Sequence, residues 1–140
     1  GLDYASLVKA ALRHRPDILI IGEIRDESTA DIAMNAALSG HTVLATVHAK
    51  STFQTIERLK GLGVSSIVLK NCLTAICYQR LLPTCDQRIS GLFDIASSKK
   101  LQNALEMPSN NDFVDWSEHL TVLREKGIID DETWKEYQTG

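Results

Sequence analysis

The hydrophobic positions change period several times along this chain, and each change marks an element. Residues 3–14 (DYASLVKAALRH) place Leu7, Val8, Ala11 and Leu12 on one helical face, with Asp3 the expected N-cap. Pro16 stops that helix and feeds a continuous apolar run, Ile18 to Ile21, closed by Gly22. Such a run reads as a strand buried on both faces of a parallel sheet. Asp26-Glu27-Ser28-Thr29 opens a second helix with Asp26 as its cap and a first turn that suits the helix dipole. That helix carries Ile32, Ala33, Ala36 and Ala37, whose small side chains predict close packing on a sheet, and ends at Ser39-Gly40 with Gly as the left-handed cap. A second strand covers Thr42 to Val47, and the strand–helix–strand unit is expected to cross over right-handed.

Beyond Ser51-Thr52, a further cap, a helix covers roughly Phe53 to Lys60 and breaks at Gly61-Leu62-Gly63. Ser65 or Ser66 starts the next, about Ile67 to Ala75. Residues 76–82 (ICYQRLL) fit both a helix end and a strand and are read as a strand that Pro83 ends. Residues 87–96 (QRISGLFDIA) read as its hairpin partner, with a bulge at Gly91. A short helix from Ser97 or Ser98 to Glu106 is stopped by Pro108, and Asp112 to Lys126 is amphipathic, with Phe113, Trp116, Leu120 and Leu123 on one face. Gly127 ends it, and Asp130 or Asp131 caps a last short helix carrying Trp134 and Tyr137. The aromatic stripe is expected to pack on the domain rather than face solvent. The fold class is α/β, with residues 1–96 as the main domain and 97–140 as a helical subdomain.

Composition narrows the functional classes. A chain of 140 residues with 44% hydrophobic and 24% charged residues folds as an ordinary globular domain. Its net charge of -3 argues against direct nucleic-acid binding, which leaves a basic footprint. The negative charge gathers at the end: residues 99–140 hold five Lys/Arg against nine Asp/Glu. No apolar stretch approaches the roughly 20 residues that span a bilayer, and no signal-peptide pattern is present, so the expectation is cytosolic. Cys72, Cys77 and Cys85 form no CxxC pair and read as reduced thiols, not a zinc site.

The candidate chemistry lies where the two parallel strands end. Ligands of open α/β sheets bind outside the carboxyl ends of the strands, and here those ends deliver Glu23, after Gly22, and His48. Taken singly, these residues have plainer readings. A Glu at a strand end is commonly a surface carboxylate. His41 follows a helix C-cap, where the dipole favours an imidazolium, and Arg25-Asp26 is a charge pair at a helix start.

The ordered set of motifs decides between these readings. Residues 12–17 (LRHRPD), 20–26 (IIGEIRD), 39–49 (SGHTVLATVHA) and 79–83 (QRLLP) strongly resemble, in that order, the secretion and pilus traffic ATPases. These are the RecA-like motors of type II secretion, type IV pili and competence pseudopili. The resemblance runs from about Leu7 to Pro83. It casts Gly22-Glu23 as an atypical Walker B element, with Glu23 polarising the attacking water. It makes His48 a γ-phosphate sensor, His41 the other histidine of the family's His box, and Arg25-Asp26 a structural or nucleotide-relaying pair. ATP and Mg2+ are the implied cofactors. Phosphoryl transfer to water needs positioning and electrostatic stabilisation, which a strand-end Glu and a neighbouring His can supply.

One departure matters. No GxxxxGK[ST] occurs anywhere, and Gly61-Leu62-Gly63 is followed by Val64 without the lysine and hydroxyl of a phosphate loop. In the family that loop lies upstream of the Walker B strand. The expectation is therefore the C-terminal part of a larger ATPase, inactive alone, whose second strand has an unpaired edge open to a second chain. The resemblance further implies a hexameric ring at the inner face of the membrane, an inner-membrane platform protein as partner, and coupling to pilin-like assembly. The absence of the four-cysteine module of zinc-bearing members leans towards the competence branch. Two other readings remain: a motor of type IV secretion or conjugation, and a non-catalytic interaction module on a RecA-like core.

Overall fold

The computed structural model describes residues 4–106 and 113–140, arranged as seven helices and four strands. The expected Asp3 cap and the Pro108 stop fall outside the described residues. The helix expected from Asp112 starts later, at Trp116 with Asp115 in the cap position, because residues 113–115 are not helical. The chain forms two compact units, one of Gly1–Ala49 with Thr55–Leu73, the other of Lys50–Gln54 with Thr74–Gly140.

The first unit is built on two parallel strands, β1 (Ile18–Ile21) and β2 (Thr42–Ala45), in register from Ile18↔Thr42 to Ile21↔Ala45. Around them lie α1 (Tyr4–Arg13), α2 (Glu27–Leu38), most of α3 (Thr52–Gly61) and α4 (Ser66–Cys72). Helix α2 links the strands, packing on β2, α1 and α4. Its start is fixed by Asp26, whose carboxylate accepts the Thr29 N–H at 2.8 Å. Its end is fixed at Gly40, whose φ of +89° only glycine adopts without strain. Ala30, Ala33 and Ala36 are fully packed away, which is why this helix is so rich in alanine.

Two expectations are corrected here. β1 is buried on one face only: Leu19 and Ile21 are inside, whereas Ile18 and Ile20 are 55% and 74% exposed. Leu44, opposite Ile20 in register, is exposed on the same face, and no described element of this unit covers it. Second, β2 ends at Ala45, not Val47. The chain stays tied for one further residue, because Ile24 N–H donates to the Thr46 carbonyl at 2.9 Å, and then turns away. His48 thus sits in a loop three residues past the strand.

The second unit is an antiparallel hairpin under helices. β3 (Ala75–Pro83) pairs with β4 (Ile89–Ser97), so the ambiguous segment is a strand as expected, and α4 ends at Cys72 to make room for it. Register is unbroken from Ala75↔Ser97 to Pro83↔Ile89, with Gly91 directly opposite Leu81. The expected bulge at Gly91 is absent. Gly91 is small for another reason: the Phe93 ring lies across it, and a Cβ there would come within 2.9 Å of that ring. The inward face of the hairpin meets α5 (Ser98–Glu106) and α6 (Trp116–Glu125), and α7 (Asp131–Glu136) packs on α6. Leu82, Leu92, Trp116, Leu120 and Ile129 form the core, with Phe113, Trp134 and Tyr137 packed against it. The aromatic stripe is core, as its spacing predicts. Phe113 stacks on Trp116 at 5.0 Å, and the Trp116 indole N–H donates to the Tyr137 carbonyl at 2.7 Å.

Candidate functional site

The site grows out of the local geometry at the ends of β1 and β2. After Ile21 the chain passes through Gly22, where a Cβ would meet nothing within 4 Å, leaving bare and approachable backbone. The Gly22 carbonyl accepts the Thr46 hydroxyl, and the Ile24 N–H to Thr46 carbonyl bond follows. Together these lock the two post-strand segments side by side, so that Glu23 and His48 leave the sheet from fixed neighbouring points.

Glu23 is the centre of the arrangement, its side chain 21% exposed while those around it are open to solvent. Its Oε2 accepts from Arg25 Nε at 2.5 Å, and its Oε1 lies 3.4 Å from His48 Nε2. A carboxylate two residues from Arg25 and 25 from His48 is thereby bracketed by two nitrogen-bearing side chains. Arg25 is held in turn at its backbone, where its carbonyl accepts from Arg58 at 3.4 Å. Next to it Asp26, occupied with the N-terminus of α2, has its pKa lowered below the ordinary carboxylate value by the Thr29 N–H it accepts.

The structure thus brings together Gly22, Glu23, Arg25 and His48. His41 is placed differently: its backbone N–H and its Nδ1 both lie on the Ala36 carbonyl, at 3.2 and 3.3 Å, at the end of α2. Sequence reasoning passed over Thr46 and Arg58. Thr46 had a signal, a hydroxyl in the first position after an apolar strand, where a side chain can bond a neighbouring main chain. Arg58 had none, since its contact depends on the path of α3.

In chemical terms the cluster offers a carboxylate able to accept a proton or orient a water, flanked by groups able to donate to an anion. Such a set is chemically suited to a negatively charged group undergoing attack by water. Among the described residues no group of three or more His, Cys, Asp or Glu is placed to hold a metal ion.

Comparison with known proteins places the chain in a family. The chain is 50% identical over 129 residues to competence protein ComGA of Streptococcus pneumoniae, an alignment covering 92% of this chain and 37% of that protein. It is 32% identical to ComGA of Bacillus subtilis, covering 91% of this chain and 41% of that one. Among solved structures, the pilus retraction motor PilT with bound ADP matches with a TM-score of 0.85 at 26% identity, over 99% of this chain and 44% of PilT. The Legionella pneumophila ATPase DotB shares the fold, with a TM-score of 0.84 at 24% identity over 96% of this chain and 42% of that one. The fold is therefore the RecA-like α/β type of these ATPases, and the chain spans well under half the length of each relative. The sequence profile of the Type II/IV secretion system protein family matches residues 1–127, and the chain belongs to that family.

Proposed function

We propose that these residues form the hydrolytic edge of a ring-forming ATPase that powers assembly of a pilus-like or competence pseudopilus. The single observation that carries this reading is the Glu23 carboxylate set between Arg25 and His48 at the ends of two parallel strands. Glu23 orients and polarises the attacking water, and His48 donates to the γ-phosphate as charge builds there. Arg25 holds Glu23 in place, and the bare backbone at Gly22 leaves room for the nucleotide. His41 ties the end of α2 to the start of β2 and acts through that segment.

ATP with Mg2+ fits this donor set in part. One carboxylate and two nitrogen donors suit a terminal phosphate and a water, and the magnesium takes most of its ligands from phosphate oxygens and water. When bound, the metal would neutralise developing phosphate charge. The phosphate cradle itself is assigned to sequence outside these 140 residues, since they hold no glycine-rich phosphate loop. No helix among the described residues is long and apolar enough to cross a membrane. The working place we assign is the cytoplasmic face of the inner membrane, on a platform protein, in a hexameric ring.

Steady-state Mg-ATP hydrolysis by the full-length protein tests the reading. Glu23→Gln is expected to lower turnover by about 10²–10⁴, the range for a positioned base, with nucleotide binding retained. Calorimetric titration of the 140-residue chain with Mg-ATP should give no heat. Turnover unaffected by Glu23→Gln would overturn the assignment, and micromolar binding by the chain alone would overturn the split cradle.

A further inference from the structure

Ile21 and Ala45 are the last partners of the parallel ladder, and the register changes directly beyond them. In an unbroken pair Thr46 would stand opposite Gly22. Instead its carbonyl accepts the Ile24 N–H at 2.9 Å, and its hydroxyl donates to the Gly22 carbonyl. Thr46 thus bonds both main-chain neighbours of Glu23, and so stands opposite Glu23 itself. The first segment has gained one residue on the second, and Gly22, where the chain bends, is the extra one. Burial records the same slip. The inward residues are Leu19, Ile21 and then Ile24, a spacing of two followed by three.

Two residues against one is the arrangement of a β-bulge, which bends the strand and re-aims a side chain. Strict alternation would put Glu23 on the covered face with Leu19 and Ile21, where an unpaired carboxylate is costly. The extra residue gives that inward place to Ile24 and leaves Glu23 at the strand end, beside Arg25 and His48. We propose that Thr46 is a positioning residue for Glu23: its hydroxyl closes the bulge that turns the carboxylate into the site. Thr46 is exposed, so water can replace its bond to the Gly22 carbonyl at little cost in stability. Water does not tie one segment to the other, and the orientation of Glu23 is what is lost. The inference rests on the role given to Glu23 above, but the closed bulge can be measured independently of hydrolysis.

The test uses Thr46→Val, which keeps the shape of the side chain and removes the hydroxyl, with Thr46→Ser as the conservative control. In the full-length protein Thr46→Val should lower kcat about 10–100-fold, the scale of a small misplacement at a reacting centre, with KM for ATP within about twofold. Thr46→Ser should match the wild type in both constants. In the 140-residue chain, native-state hydrogen exchange reads the Ile24 amide. Its exchange should be about tenfold faster in Thr46→Val and unchanged in Thr46→Ser, with the amides of β1 as in the wild type. Unchanged kcat in Thr46→Val, or a Thr46→Ser enzyme as slow as the valine variant, overturns the positioning role. Unchanged exchange at Ile24 in Thr46→Val overturns the closed bulge. Turnover that survives Glu23→Gln would instead sink the reading of Glu23, and the Ile24 amide would still decide whether Thr46 closes the bulge.

Discussion

Glu23 Oε1 and His48 Nε2 lie 3.4 Å apart, joining residues that reach the site from different strands. The Glu23 side chain is largely covered and that of His48 is 89% exposed, so the carboxylate is the enclosed partner and the imidazole the open one. On the proposed reading, a ligand phosphate arriving at this edge would compete with Glu23 for the histidine. The pairing would then be a resting arrangement, in which the imidazole stays beside Glu23 until an anion takes it.

His48→Ala should therefore act on the chemical step. Loss of one donor to a developing oxyanion costs about 10²–10³ in kcat. The expected result in the full-length protein is a fall of that size with KM for ATP little altered. His41→Ala, which loses only a bond to the Ala36 carbonyl, should lower stability more than turnover. Steady-state kinetics on both variants checks the pair, and equal losses of kcat would contradict the different places the two histidines occupy.

Much of this was legible in the sequence, and for identifiable reasons. Caps at Asp26, Ser65 and Asp130 each accept a backbone N–H three residues on, a bond of purely local origin. The aromatic spacing that makes Trp116 core is likewise a property of one helix. The failures needed knowledge of neighbours. Whether Ile18 and Ile20 are covered depends on what lies over that face, and an apolar run alone does not distinguish one buried face from two. Gly91 was read as a bulge because a glycine in a strand has two physical explanations, and the Phe93 ring beside it is the operative one. At the site, Glu23 and His48 stood out through motif order. In the second unit, Asp94 left a fainter mark, a charge at an inward position of an alternating strand, readable only once the facing of β4 is known.

Trp116 offers a test of the second unit. It is 1% exposed among Leu82, Leu92, Leu120 and Ile129, and its N–H has a partner. Trp116→Ala is expected to cost about 3–5 kcal/mol, through lost burial plus the cavity. Trp116→Phe keeps most of the ring and forfeits the bond to Tyr137, for about 1 kcal/mol. Urea unfolding followed by circular dichroism measures both. A loss below about 1 kcal/mol for the alanine variant would show that this cluster is not the core of the unit.

Acid stability should carry the signature of the two aspartate caps. Asp26 and Asp130 have pKa values lowered from 3.8, in each case first by the backbone N–H they accept, from Thr29 and Thr133. A folded-state pKa below the unfolded value means the contribution is fully present above about pH 4 and is lost as pH falls through the folded pKa. Stability should therefore decline below about pH 4. Asn caps as well as Asp but does not titrate, so the Asp26→Asn/Asp130→Asn variant should show a shallower decline. Thermal midpoints between pH 2.5 and 6 test this, and an identical acid limb in the variant would rule the caps out as its source.

The uncovered face of the first unit makes a last prediction, about the chain by itself. Ile18, Ile20 and Leu44 lie on one side of the β1–β2 pair, each more than half exposed, and β2 has no second neighbour among the described residues. An apolar face beside a free strand edge is a template for association, because pairing with a second chain satisfies the edge and buries the side chains together. The 140-residue chain should accordingly self-associate, its weight-average mass by sedimentation equilibrium rising with concentration. Ile20→Lys/Leu44→Lys places two like charges opposite one another on that face, since the residues pair in register. The variant should sediment as a monomer with its far-ultraviolet dichroism unchanged. Undiminished association in the variant would move the interface elsewhere, with the exposed hairpin residues Leu81 and Ile89 the next to change.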